Sequence, residues 1–113
     1  MKKYLNYDLR TDGLNLLDKN SMFHELFQRK DYDWWYEVQP DDVVVDLGAC
    51  VGFFTCHALD KGAKKIYSVE ANREHLRTLC YNVSEHWIDN KESPVVPIHA
   101  AIGKDDRYAL NYY

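Results

Sequence analysis

Residues 43–55, VVVDLGACVGFFT, place an apolar run directly before an acid and two glycines four residues apart. The three valines at 43–45 show no polar alternation, which is typical of a parallel strand buried on both faces. Gly48 and Gly52 follow where the chain must turn from strand into helix, and glycine allows unusual backbone angles and close approach to a ligand. The segment therefore predicts a strand–turn–helix unit with a candidate ligand site at the turn.

Further elements alternate in the same way along the rest of the chain. Asn72 can cap a second helix, and Lys61-Gly62 supplies a basic last turn and a C-terminal glycine for the first helix. The predicted elements are a strand from residue 43 to Asp46, a helix from Gly52 to about Leu59, a strand at 64–70, a helix from Arg73 to about Asn82, and a strand at 95–102. The β-α-β-α-β order predicts an α/β fold, a Rossmann-like parallel sheet with right-handed crossovers.

The N-terminal third of the chain predicts helix. In residues 13–30, apolar side chains recur at near-helical intervals, and Asn20-Ser21 interrupts them with a new N-cap. We therefore expect one or two short helices in an N-terminal helical segment, residues 1–33, followed by the sheet domain at 34–113. The aromatic cluster Trp34-Trp35-Tyr36 is interpreted as fastening this segment to the sheet, with a substrate-facing lid as the alternative.

Composition and charge indicate which binding partners and which cellular compartment to expect. The 113 residues fit one domain, the net charge is −4, and no more than two basic residues are consecutive, which does not favour nucleic acid or membrane partners. The polar start and the lack of a long apolar run favour a cytoplasmic protein. Three cysteines without a CxxC pair predict buried thiols, and five histidines without HxxxH or HExxH spacing predict no metal site.

Two acids end neighbouring predicted strands. Asp46 closes the first, and Glu70 closes the second 24 residues later. Open α/β sheets bind ligands at the carboxyl ends of their strands, where an acid can accept ribose hydroxyls. The GxxxG spacing and the lack of a Walker lysine do not favour a phosphate ligand. A glycine pair alone is often structural, but the two acids favour a ligand with a ribose and a positively charged group.

The run VVVDLGACVGFFT, with IYSVEANREHLRTLCYNV and VVPIHAAIG after it, resembles the first half of a class I S-adenosylmethionine-dependent methyltransferase of the FkbM-like kind. The resemblance covers residues 34–113. It implies S-adenosylmethionine as cofactor, with its methionine part in the DxGxxxG loop, its ribose on the acid after the second strand, and its adenine between the two following loops. The residues implied are Asp46, Gly48, Ala49, Cys50 and Gly52 in the first loop, Glu70 at the ribose, Ala71 and Asn72 on one side of the adenine, and Ala101 and Ile102 on the other.

The resemblance also shows departures from the family. Cys50 stands where such proteins often carry asparagine, and the chain lacks the later strands of the seven-stranded family sheet, whose order is 3-2-1-4-5-7-6. Pro97 fits the third strand, which is an edge in that sheet. Residues 107–113 read as one more strand beyond it. His99 is interpreted as packing under the adenine, with a catalytic base as the alternative; the catalytic residues themselves are unknown.

Two functions are consistent with this half domain. One is methyl transfer to an oxygen or nitrogen nucleophile, with an oxygen of a small-molecule or glycan-type acceptor expected, by this chain or by the enzyme whose cofactor-binding fragment it is. The other is a non-catalytic module that binds a nucleoside ligand or a partner. In both cases the first strand lacks its usual neighbour, and an apolar edge strand is a template for pairing. We expect self-association or a second chain carrying the missing strands.

Overall fold

The computed structural model describes residues 2–4, 7–11, 36–86 and 92–103. The elements in these ranges are strands β1 (Lys2–Tyr4), β2 (Tyr7–Leu9), β3 (Val43–Leu47), β4 (Lys65–Glu70) and β5 (Val95–His99), and helices α1 (Phe53–Asp60) and α2 (Arg73–His86). The predicted helices within 13–30, Trp34, Trp35 and the predicted last strand at 107–113 lie outside the described residues.

Strands β3, β4 and β5 form a parallel sheet with β4 in the centre. Both crossovers step in the same direction across the sheet, so right-handed connections place α1 and α2 on the same face. This is the predicted β-α-β-α-β arrangement, a truncated Rossmann-like fold. Pro97 lies in β5, which has one strand neighbour among the described residues, in agreement with its prediction as an edge strand.

The predicted end of α1 and the predicted start of α2 are confirmed. Gly62, with φ of 88°, follows α1 and donates its N–H to the Leu59 carbonyl, and Ala63 donates to the Ala58 carbonyl. This pair of bonds is the Schellman motif, which needs a left-handed residue at the glycine position. At the start of α2, the Asn72 side-chain oxygen accepts from the backbone N–H groups of Glu74 and His75. Helix α2 continues four residues past the predicted end at Asn82.

The core lies between the two helices and one face of the sheet. Ile66 from β4, Ala58 from α1 and Leu79 from α2 are completely buried there. Val95 brings β5 into the same cluster. The short helix α1 is buried almost all round, because it packs against both β4 and α2.

The opposite face of β3 is open, which contradicts the prediction that this strand is buried on both faces. Val43, Val45 and Leu47 are 63%, 60% and 58% exposed, whereas Val44 and Asp46, on the helix side, are half-buried and buried. The apolar run correctly predicted a strand that two layers could cover. The described part of the chain supplies only the layer on the helix side.

An N-terminal hairpin, β1 paired antiparallel with β2, was not predicted. It is fastened to the domain just after β2 by Asn82, a completely buried residue of α2. The Asn82 side chain accepts from the Arg10 N–H at 2.7 Å and donates to the carbonyls of Arg10 and Val51 at 2.9 and 2.8 Å. The Arg10 guanidinium also lies 3.9 Å from the ring centre of Tyr81.

In the described ranges, neither helix has the length and apolarity needed to cross a membrane.

Candidate functional site

A pocket of about 320 Å³ opens at the carboxyl ends of β3, β4 and β5. This volume lies at the lower end of the range of about 300 to 1,000 Å³ that is usual for small-molecule sites. Its walls are apolar apart from one carboxylate. The lining residues are Leu47, Gly48, Val69, Glu70, Ala71, Ala100 and Ile102.

Gly48 begins the turn that forms one wall of this pocket. The N–H groups of Gly48 and Ala49 both donate to the Val69 carbonyl at 2.9 Å, which fixes the turn against the end of β4. Gly48 has a φ of 74°, and a Cβ built on it would meet no atom within 4 Å. The left-handed angle favours glycine, and the open space in front of it belongs to the pocket. Gly48 therefore has the conformational role that the sequence predicted for it.

Glu70 connects the loops on both sides of the pocket. Its Oε1 accepts from the Cys50 N–H at 2.8 Å, and its Oε2 accepts from the Asn72 N–H at 2.7 Å. A carboxylate offers about four lone-pair sites, so each oxygen retains one for a ligand hydroxyl. The carboxylate thus holds the first and second loops together, retains acceptor capacity on both oxygens, and belongs to the pocket lining.

Ala71 and Ile102 line the rim of the pocket from the loops after β4 and β5. Ile102 is 63% exposed, an unusually high value for a large apolar side chain next to a pocket. His99 is exposed at the same rim, and its Nε2 lies 2.9 Å from the Ala71 carbonyl oxygen. Because a carbonyl only accepts, Nε2 is the donor in this bond. His99 therefore ties the end of β5 to the loop after β4, and Ala100 N–H does the same through the Glu70 carbonyl at 3.2 Å.

Asp46 does not line the pocket, although the sequence predicted that it would contact the ligand. Its side chain lies on the helix side of the sheet and is buried, with Oδ2 accepting from the Thr55 hydroxyl at 2.8 Å. Thr55 Oγ1 is also 2.7 Å from Ser68 Oγ, so the three side chains bridge β3, α1 and β4. Burial raises the pKa of Asp46, the Thr55 hydrogen bond opposes this shift, and the Glu70 charge adds to it. Asp46 therefore stabilises the end of β3 through hydrogen bonding on the helix side of the sheet.

Gly52 also serves packing rather than the pocket. Its φ is 98°, and an added Cβ would lie 3.2 Å from Leu79 Cγ. Gly52 therefore sets the distance between the start of α1 and helix α2. The remaining predicted residues, Ala49, Cys50, Asn72 and Ala101, likewise are not among the lining residues; Cys50 and Asn72 contribute through their N–H groups to Glu70.

Sequence reasoning missed Leu47, Val69 and Ala100 as pocket residues. A signal was available for two of them, since Leu47 and Val69 are register partners at the ends of adjacent strands. Among the residues that the structure describes, no three His, Cys, Asp or Glu side chains are grouped closely enough to hold a metal ion.

Comparison with known proteins finds solved structures that resemble this chain. No family model and no curated protein matches the chain. A protein provisionally assigned as an S-adenosylmethionine-dependent methyltransferase from Listeria monocytogenes superposes with a TM-score of 0.53 and 18% identity over 66% of this chain and 30% of its own. A protein provisionally assigned as an RNA methyltransferase from Pyrococcus horikoshii gives 0.53 and 23% over 77% of this chain and 38% of its own. This chain thus spans less than two fifths of the length of either. The likeness shows the fold: this chain has part of the Rossmann-like fold of these two structures.

Proposed function

We propose that this chain is the cofactor-binding part of a cytoplasmic, FkbM-like, S-adenosylmethionine-dependent methyltransferase that methylates an oxygen atom of a small-molecule or glycan-type acceptor. One observation carries the proposal: the Glu70 carboxylate stands at the edge of an otherwise apolar pocket, between the Gly48 turn and the Ala71 loop. An acid with two remaining acceptor positions suits the two hydroxyls of a ribose.

The other walls suit the rest of the cofactor. Ala71 and Ile102 contribute apolar lining from the loops after β4 and β5, on which an adenine can pack. The open space at Gly48 leaves room for the chain that leads from the ribose to the sulfonium. The cofactor supplies a methyl group already bonded to a positively charged sulfur, an excellent leaving group. The protein's contribution is then to hold the donor and align it with the acceptor oxygen.

The described residues account for binding rather than for acceptor recognition. Among the described strands, β3 pairs with β4 alone, so its other edge has no described neighbour. One face of β3 also exposes Val43, Val45 and Leu47, and Leu47 belongs to the pocket as well. We propose that β3 takes a second neighbour from another polypeptide, either a second copy or a chain carrying the complementary strands. The substrate walls would come from that partner. This arrangement also accommodates the second candidate, a module that binds a nucleoside ligand and a partner without catalysing transfer.

Titration calorimetry with S-adenosylmethionine and S-adenosylhomocysteine tests the binding proposal on the chain itself. We expect both to bind to the wild type and neither to bind measurably to Gly48→Val, whose branched side chain would enter the pocket from a left-handed position. A matched control is Gly62→Val, which changes another left-handed glycine at the opposite end of the sheet. Failure of both ligands to bind to a folded wild-type chain would reject the proposal.

Sedimentation velocity at micromolar concentration tests the partner proposal. We expect the wild type to self-associate or, if it is monomeric, to bind a separately supplied C-terminal half of a methyltransferase domain. Val45→Lys should abolish either association, because it places a charge in the middle of the exposed face. A wild-type chain that stays monomeric and does not bind the added C-terminal half would contradict the partner proposal.

A further inference from the structure

The three cysteines occupy different environments, and the prediction of buried thiols is correct for Cys56 but wrong for Cys50 and Cys80. Cys56 is completely buried in α1, and burial raises the pKa of its thiol to about 12. Cys80 is exposed on α2, and partial burial raises the pKa of its thiol as well. Cys50 is half-buried in the turn after β3, and its Sγ lies 3.7 Å from Nδ1 of His75. A thiol with a base within hydrogen-bonding reach has the geometry of an activated nucleophile.

Backbone contacts hold both members of this pair in place. The Cys50 N–H is bonded to Glu70, and the His75 N–H donates to the Asn72 side-chain oxygen at 3.2 Å in the first turn of α2. Cys50 has a φ of 54°, which is uncommon for a residue with a side chain, and its Sγ contacts His75 of α2. The short distance between sulfur and imidazole therefore follows from the same loop contacts that build the pocket.

We propose that Cys50 and His75 form a reaction site for small-molecule disulfides. The Cys50 sulfur attacks one sulfur of the disulfide while His75 Nδ1 accepts the thiol proton. The disulfide's S–S bond breaks, and its second sulfur leaves as a thiolate that takes the proton from the imidazolium. The products are a mixed disulfide on Cys50 and one equivalent of small-molecule thiol, so the disulfide is the oxidant. The reaction does not require the cofactor, because Cys50 and His75 do not line the pocket.

The aromatic disulfide 5,5′-dithiobis(2-nitrobenzoate) tests this directly, because it releases a coloured thiol for each cysteine modified. We expect the native chain to react at two cysteines, with Cys50 the faster and Cys80 the slower, and Cys56 to react only after unfolding. A positioned base contributes about 10²-fold or more to proton transfer. We therefore expect His75→Gln and His75→Asn each to slow the Cys50 phase at least about tenfold without changing the Cys80 phase.

Controls assign the phases and check the fold. Cys50→Ser should remove the fast phase, Cys80→Ser the slow one, and peptide mass spectrometry should locate the label. If Cys56 stays unreactive in a His75 variant, the fold of that variant is intact. If Cys56 becomes reactive in one of the two His75 variants, the rate is taken from the other variant. An unchanged Cys50 rate in a folded His75 variant, or a wild type in which Cys80 reacts first, would overturn the proposal.

Discussion

Removing the Glu70 carboxylate should weaken both the fold and the ligand site, because one side chain holds two loops. Its two oxygens accept from the Cys50 and Asn72 amides at 2.8 and 2.7 Å. Hydrogen bonds to a charged acceptor are worth about 1.5 to 3 kcal/mol each. Glu70 is half-buried, so water replaces part of this when the carboxylate is removed. We therefore expect Glu70→Ala to lower the free energy of unfolding by about 1 to 3 kcal/mol.

The corresponding fall in melting temperature is about 5 to 15 °C for a domain of this size. Glu70→Gln should behave similarly, because its NH₂ group would face one of the two N–H donors. Glu92→Gln removes the same charge from an exposed position before β5 and should change stability by less than about 0.5 kcal/mol. Thermal unfolding without ligand measures these differences, and calorimetry with S-adenosylhomocysteine measures binding, which should weaken at least about tenfold in Glu70→Ala.

The two assays separate the two roles of Glu70. If Glu70→Ala has the same melting temperature as the wild type, the carboxylate does not hold the loops. If the variant is less stable but binds S-adenosylhomocysteine unchanged at a temperature where it is folded, Glu70 is structural and the ribose assignment is wrong.

Three further predictions concern the residues around the site. Gly48→Ala should weaken ligand binding more than stability, whereas Gly52→Ala should chiefly lower stability because its methyl would press on Leu79; equal effects in calorimetry and urea unfolding would refute this distinction. Burial raises the pKa of Asp46, so its contribution to stability is full below the unfolded pKa and is lost as pH rises through the folded one. Asp46→Asn should therefore be more stable than wild type at pH 7, with the gain vanishing below about pH 4; a gain that grows toward acid would reverse the argument. Asn82→Ala breaks three hydrogen bonds at a buried side chain and should cost about 2 to 4 kcal/mol in urea unfolding; a loss under about 0.5 kcal/mol would show that the hairpin is held by other contacts.

The parts of the fold that the sequence predicted are those with local chemical signals. Asn72 and Gly62 mark helix ends because a side-chain acceptor and a left-handed glycine are needed there whatever the rest of the chain does. The strand order was implied by the resemblance to the methyltransferase sheet and supported by Pro97, which only an edge strand tolerates well.

The sequence predictions fail where tertiary contacts, rather than local sequence, determine the structure. Strands β1 and β2 have three residues each, and the side chain that fastens them belongs to Asn82, 72 residues away from Arg10. No local pattern signals such a contact. The open face of β3 could not be predicted either, because an apolar run does not say whether both covering layers belong to the same chain.

The orientation of Asp46 could have been predicted from strand geometry. Successive side chains in a strand point to opposite faces, so Asp46 shares a face with Val44. That face packs on α1, whose Thr55 supplies the partner for the carboxylate. Glu70 lies on the same face but ends its strand, and it therefore reaches the loops instead of the core.

The central claim is that the pocket at the carboxyl ends of the strands binds the methyl-donor cofactor. A titration of ¹⁵N-labelled protein with S-adenosylhomocysteine, followed through backbone amide chemical shifts, tests it most directly. We predict saturable shifts at Gly48, Ala71 and Ala100, which line the pocket, and none at Gly62, at the far end of the sheet. Shifts confined to the surface between α2 and β5, or none at millimolar ligand with the protein folded, would contradict the claim.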